Sequence, residues 1–78
     1  YSNTINPTYL DSLAKKAYKL NEDKNYNMAI EVAKQILIQS PNNITAHKEL
    51  AFAYKHIDNS AGALKYYFNY QKYYIVVH

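Results

Sequence analysis

The chain has 78 residues, nine Lys and no Arg against six Asp plus Glu, a net charge of +3 and no cysteine. That length holds one small domain whose single apolar core is worth roughly a few kcal/mol. Without cysteine there is no disulfide, thiolate zinc site or cysteine nucleophile, and without arginine there is no planar fork to grip phosphate or guanine.

The lysines are spread from Lys15 to Lys72, so the positive charge is a mild bias and not a nucleic-acid footprint. Its richness in Lys, Asn, Ile and Tyr is equally what an AT-rich genome yields. No unbroken apolar run exceeds five residues, the length of Tyr73 to Val77, which is far short of a membrane span, so no membrane insertion is expected. A chain opening on Tyr1 with no signal-type segment reads as a mature form or an excerpt of something longer, and the compartment stays open.

The first elements follow from caps and periodicity. Residues 1–6 read as a flexible segment, after which Asn6 can cap and Pro7 suits the first helical position, where its missing N–H is not needed. Leu10, Leu13, Ala14, Ala17 and Leu20 recur at three- and four-residue steps, which predicts a helix over Pro7 to Asp23. After "NEDKN", Asn25 can cap a second helix with Ala29, Ile30, Ala33, Ile36 and Leu37 on its apolar stripe. Pro41 in "SPNN" disfavours helix for the residue before it and ends that segment. Asn43 then caps a third helix, with Ala46, Leu50, Ala51, Tyr54 and Ile57 inward, and Asn59 caps a fourth that frays at its terminal valines.

An internal register relates the halves. Asn25 and Asn59, Tyr26 and Ser60, Ala29 and Ala63, Ile30 and Leu64, and Ala33 and Tyr67 are each 34 residues apart. In the second half, Leu50-Ala51 with Tyr54, then Ala63 and Tyr67, resemble the Leu-Gly, Tyr, small-residue and aromatic positions of the tetratricopeptide repeat. The first half is similar through Leu10, Leu13, Ala14, Tyr26, Ala29 and the closing Pro41. Leu13 to Leu50 is 37 residues, which reads as three extra residues, close to one helical turn, before Tyr26.

The resemblance implies an all-α fold, two antiparallel helical hairpins stacked as an α-α superhelix over 7–75. Repeat 1 covers about 8–41, repeat 2 about 42–75, and 76–78 form a tail. It also implies a protein-protein interaction module, not an enzyme, with no cofactor. Its concave face would present Asp11, Lys15 and Tyr18 from the first helix and Thr45, Lys48, Phe52 and Lys55 from the third. The lysines there would attract an acidic peptide or a terminal carboxylate, with Tyr18 and Phe52 adding apolar contact. Lysines at these steps are equally the solvated face of amphipathic helices.

Catalysis lacks support, because the serines have no activating neighbours and the carboxylates are scattered apart from Glu22-Asp23. His47 and His56, nine residues apart, point to opposite sides of one helix and cannot share a metal, and His47 reads as a packed core-edge residue.

"KYYFNYQKYY", residues 65–74, holds six aromatics and two lysines. With Gly62, Lys65, Asn69 and Lys72 as the polar stripe and Ala63, Tyr67, Tyr70 and Tyr74 inward, Leu64, Tyr66, Phe68 and Tyr73 have no predicted neighbour. A helix apolar over most of its circumference is normally buried. Further repeats in a longer protein, a homodimer through this helix, or another protein would each cover it. Base stacking would bring arginine nearby, and a membrane-surface helix a sharper split between basic and apolar faces.

Overall fold

The structure, a computed structural model, describes residues 7–77 and the side chains of residues 9–74. Four helices follow in order: α1 (Pro7–Glu22), α2 (Tyr26–Gln39), α3 (Ile44–His56) and α4 (Ser60–Val77). They form two antiparallel hairpins, α1–α2 and α3–α4, stacked so that α3 lies on both α1 and α2, whereas α4 touches α3 alone among the described helices. The expected cap at Asn6 and the segment 1–6 lie outside the described residues. Helix α4 runs through Val77, past the boundary expected at residue 75.

The core is built mostly from small side chains. Ala17, Ala29, Ala33, Ala46 and Ala53 are fully buried with Ile36 and Leu50, and Ile30 and Val32 nearly so. Alanine lets helix backbones approach closely, and the two large residues fill the space between. Leu10, Leu13, Ala14, Leu20 and Leu37 pack half-buried around this centre. The expected inward residue Ile57 is instead exposed, because the helix ends at His56 and the chain turns there.

Both hairpins close by the same turn. In the first, Asp23, Lys24 and Asn25 donate their backbone N–H groups to the carbonyls of Lys19, Asn21 and Leu20. In the second, Ile57, Asp58 and Asn59 donate to Ala53, Lys55 and Tyr54. Each partner is displaced by 34 residues, and the left-handed residues Lys24 (φ 65°) and Asp58 (φ 63°) obey the same shift.

This corrects the reading of three extra residues before Tyr26. Ala17 is the counterpart of Ala51, and Leu20 of Tyr54; the extra turn of α1 sits at its beginning, before the stretch matching Ile44. The caps also differ in part. Asn43 Oδ1 accepts from the Ala46 N–H at 2.9 Å and Asn59 Oδ1 from that of Gly62 at 3.0 Å, while the Asn25 side chain makes no cap hydrogen bond.

Helix α4 meets α3 through aromatic rings, seated by its one glycine. Tyr66 stacks on Tyr54 with centroids 5.5 Å apart and planes 2° from parallel. His47 lies 5.7 Å from Tyr66 and 5.2 Å from Tyr73. His47 is buried, and its Nε2 donates to the Pro41 carbonyl at 2.8 Å, since a carbonyl only accepts, while its Nδ1 is buried without a hydrogen-bond partner.

A Cβ on Gly62 would stand 2.9 Å from Cγ and Cδ1 of Tyr54, a ring held between Tyr66 and the Lys34 ammonium, which lies 5.8 Å from its centroid. Gly62→Ala therefore pits a helix-propensity gain of about 1 kcal/mol against an overpacking cost of about 1–3 kcal/mol. With the ring unable to retreat, we expect a net loss and a melting midpoint lower by roughly 5 °C. An unchanged or higher midpoint would mean that the Tyr54 ring swings aside freely.

Candidate functional site

Two hollows border the face expected to be concave along α1 and α3, and they share Lys48 and Phe52. The first, about 440 Å³, lies between α1 and α3 and is lined by Tyr18, Asn21, Glu22, Lys48, Glu49 and Phe52. Asp11 and Lys15 are exposed on α1 but do not line it, and Lys55 belongs to the second hollow. Thr45, expected on the same face, is exposed and lines neither.

The expected cluster of three lysines is thus not assembled. Glu22 and Glu49 face a single ammonium, that of Lys48, so this hollow is not the basic groove that the lysine spacing predicts. Tyr18 is exposed, and the Glu22 carboxylate one turn along α1, as hydrogen-bond acceptor for its hydroxyl and as a nearby negative charge, holds its ionisation above the ordinary tyrosine range.

Two residues that the sequence reading passed over anchor this hollow. Asn21 and Glu49 are both buried, and Asn21 Nδ2 donates to Glu49 Oε1 at 2.8 Å and to the Glu49 carbonyl at 3.3 Å. The signal was present in α3: Glu49 lies three residues after Ala46 and four before Ala53, on the buried face. Asn21 gave no comparable sign, since "NEDKN" reads as a turn.

Phe52 is 44% exposed, and the rings of Tyr26 (6.3 Å) and His56 (4.3 Å) hold it in place. Tyr26 and His56 stack at 5.0 Å and 9°. His47 faces α4 and His56 faces Tyr26, on opposite sides of α3. No group of three His, Asp or Glu side chains converges on a metal-sized site among the described residues.

The second hollow, about 630 Å³, is the groove between α3 and α4. The half-buried Ala51 and Ala63 lie low in it, Phe52, Leu64, Tyr67 and Tyr70 form its apolar walls, and Lys48, Lys55, Asp58 and Ser60 its polar edge.

Helix α4 is turned from the expected orientation by roughly 70° about its axis, judged at 100° per residue. Tyr66 and Tyr73, expected to lack neighbours, pack on His47 and Tyr54, while Tyr67 and Tyr74, expected in the core, are exposed. Leu64 and Phe68 are exposed as expected. The physical reason is Gly62, which belongs to the α3 face and not to the polar stripe, because a Cβ there would stand 2.9 Å from the Tyr54 ring.

No helix of the described residues is long and apolar enough to cross a membrane. Compared with known proteins, the chain matches no protein-family model, no curated protein and no solved structure.

The Asn21–Glu49 pair yields a sharp contrast. Asn21→Leu leaves the buried carboxylate without its side-chain donor and should cost about 2–3 kcal/mol. Glu49→Gln keeps an acceptor for Asn21 Nδ2 and offers an N–H to Asn21 Oδ1, which is buried and unpartnered, so it should cost under about 1 kcal/mol. Urea midpoints of the two variants check this; equal losses would mean that the negative charge, and not the donor, matters.

Proposed function

We propose that the chain is a protein-protein interaction module of the tetratricopeptide kind, with two repeats, in which rigid hairpins present a concave surface on α1 and α3 and a second, aromatic surface on α4. The observation that carries this reading is Phe52, a large aromatic left 44% exposed where the two hollows meet. A half-exposed aromatic supported by two further rings is already ordered before a partner arrives, so little side-chain entropy is lost on binding. Tyr18 and Lys48 beside it supply a polar rim, the usual setting for an apolar contact between proteins.

The role is binding, not catalysis. Among the described residues, His47 and His56 are taken up in ring contacts on opposite sides of α3, and no three His, Asp or Glu side chains converge, which favours binding over catalysis. A second reading, self-pairing through α4, is favoured by the exposure of Leu64 and Phe68 on one side of that helix. It gives a sedimentation mass that doubles with concentration, whereas the binding reading gives a monomer at every concentration.

A photo-crosslinking side chain at position 52 tests the binding reading directly. In native extract it should capture a discrete protein that the same group at position 38, an exposed site on α2, does not capture. Phe52→Ala and Lys48→Ala should each weaken capture by a crosslinker at position 18 while leaving the helical circular dichroism unchanged. Equal labelling from positions 52 and 38 would remove the concave-surface reading.

A further inference from the structure

We propose that the groove between α3 and α4 is the seat of an acidic amphipathic helix of a partner protein, docked in the register in which α3 docks on α1 and α2. The inference rests on the interaction-module reading and names the partner's chemistry.

The first hairpin supplies the template. By the 34-residue shift that relates the two turns, Ala51, Phe52, Lys55, Ala63, Leu64, Tyr67 and Tyr70 are the counterparts of Ala17, Tyr18, Asn21, Ala29, Ile30, Ala33 and Ile36. In the first hairpin these α2 positions are closed over, with Ala29, Ala33 and Ile36 at 0% exposure and Ile30 at 8%. Helix α3 lies on that hairpin and contacts both of its members. In the second hairpin Leu64 is 56% and Tyr67 48% exposed, and no described helix lies on it. One surface thus occurs twice in the chain, once filled by a helix and once open. Ala51 and Ala63 leave the same room for close backbone approach as the alanines they match, while Tyr67 in place of Ala33 calls for a small residue opposite it.

Charge selects the occupant. In the filled seat Asn21 donates to Glu49 of the docked helix at 2.8 Å. Its counterpart in the open seat is Lys55, a stronger donor on a longer stem, and Lys48 stands where the first hairpin has Ala14; against the single carboxylate of Asp58 at the end of the groove, these two lysines leave the lining net positive. A docked helix with a carboxylate at the place of Glu49 pairs with Lys55, and carboxylates along its edge meet Lys48. A second copy is a poor match, because α4 contains no Asp or Glu and a copy would bring its own Lys48 and Lys55 to this groove.

The probe is a fluorescein-labelled helical peptide of about 15 residues that keeps the α3 spacing Ala-x-x-Glu-Leu-x-x-Ala and carries Glu at outward positions. Anisotropy titrations against the 78-residue chain should show saturable binding that falls as salt rises. Lys55→Glu and Leu64→Ser should each weaken it by roughly tenfold or more; both side chains are exposed, and circular dichroism verifies that the variants stay folded. A peptide with Lys in place of its core-flanking Glu should bind Lys55→Glu better than the parent chain. Absence of binding, indifference to Lys55→Glu, or failure of the charge exchange would overturn the proposal. So would a concentration-dependent doubling of mass that Leu64→Ser abolishes, since the seat would then belong to a second copy. If the peptide fails while the crosslinker at position 52 still captures a protein, the seat is rejected and the interaction-module reading stands; if both fail, both are rejected.

Discussion

The close approach of α3 to α1 and α2 is the constraint on which the rest of the fold depends. Helix α3 alone touches all three other helices, so its position fixes theirs. Alanine makes that position accessible. Ala46 and Ala53 on α3 meet a buried set containing Ala17, Ala29 and Ala33, and larger side chains there would hold the helices apart. Small residues bury little apolar area each, so the domain leans on geometry more than on core volume. The Asn21–Glu49 hydrogen bond acts within this frame: it is satisfied only when α3 sits in one rotational setting, and so discriminates against slipped arrangements of an otherwise smooth alanine surface.

Periodicity and caps made the four helices legible, because apolar steps of three and four are a direct record of a buried face. The 34-residue register was legible for the same reason, though the equivalence drawn at Leu13 and Leu50 was displaced by three residues. Two "Leu-Ala" pairs offered an attractive local match, and only the shared hydrogen bonds of the turns show that Ala17 pairs with Ala51. The rotation of α4 was not legible. With tyrosines on most sides, its sequence has no strong apolar moment to set the angle, and one steric fact at Gly62 decides it. The expected lysine cluster was misplaced in the same manner. Spacing placed Lys15, Lys48 and Lys55 on related faces, but hollows form between helices, and the carboxylates of Glu22 and Glu49 enter one of them from positions that spacing treats as turn and core.

The two hollows differ in character although they share Phe52 and Lys48. One is smaller, with two carboxylates, Lys48 and a buried amide; the other is larger and mostly apolar, edged by Lys48, Lys55 and Asp58. A segment lying across Phe52 would pass from one electrostatic setting to the other within a few residues. For the interaction module proposed above, such a boundary would favour one direction in a bound segment whose charge also changes along its length.

Because α4 is attached to α3 alone, it is the element that could separate from a single neighbour without parting the other three helices. The first three helices contact one another, whereas the last is held by a row of rings on Tyr54 and His47. An element with one neighbour can open as its own cooperative unit, separately from the remainder. Opening of that unit would uncover the buried His47 and the Tyr54 ring, and any ligand bridging α3 and α4 would hold it shut. Occupancy and local order would then be a single equilibrium, readable as slowed exchange along Ser60–Val77.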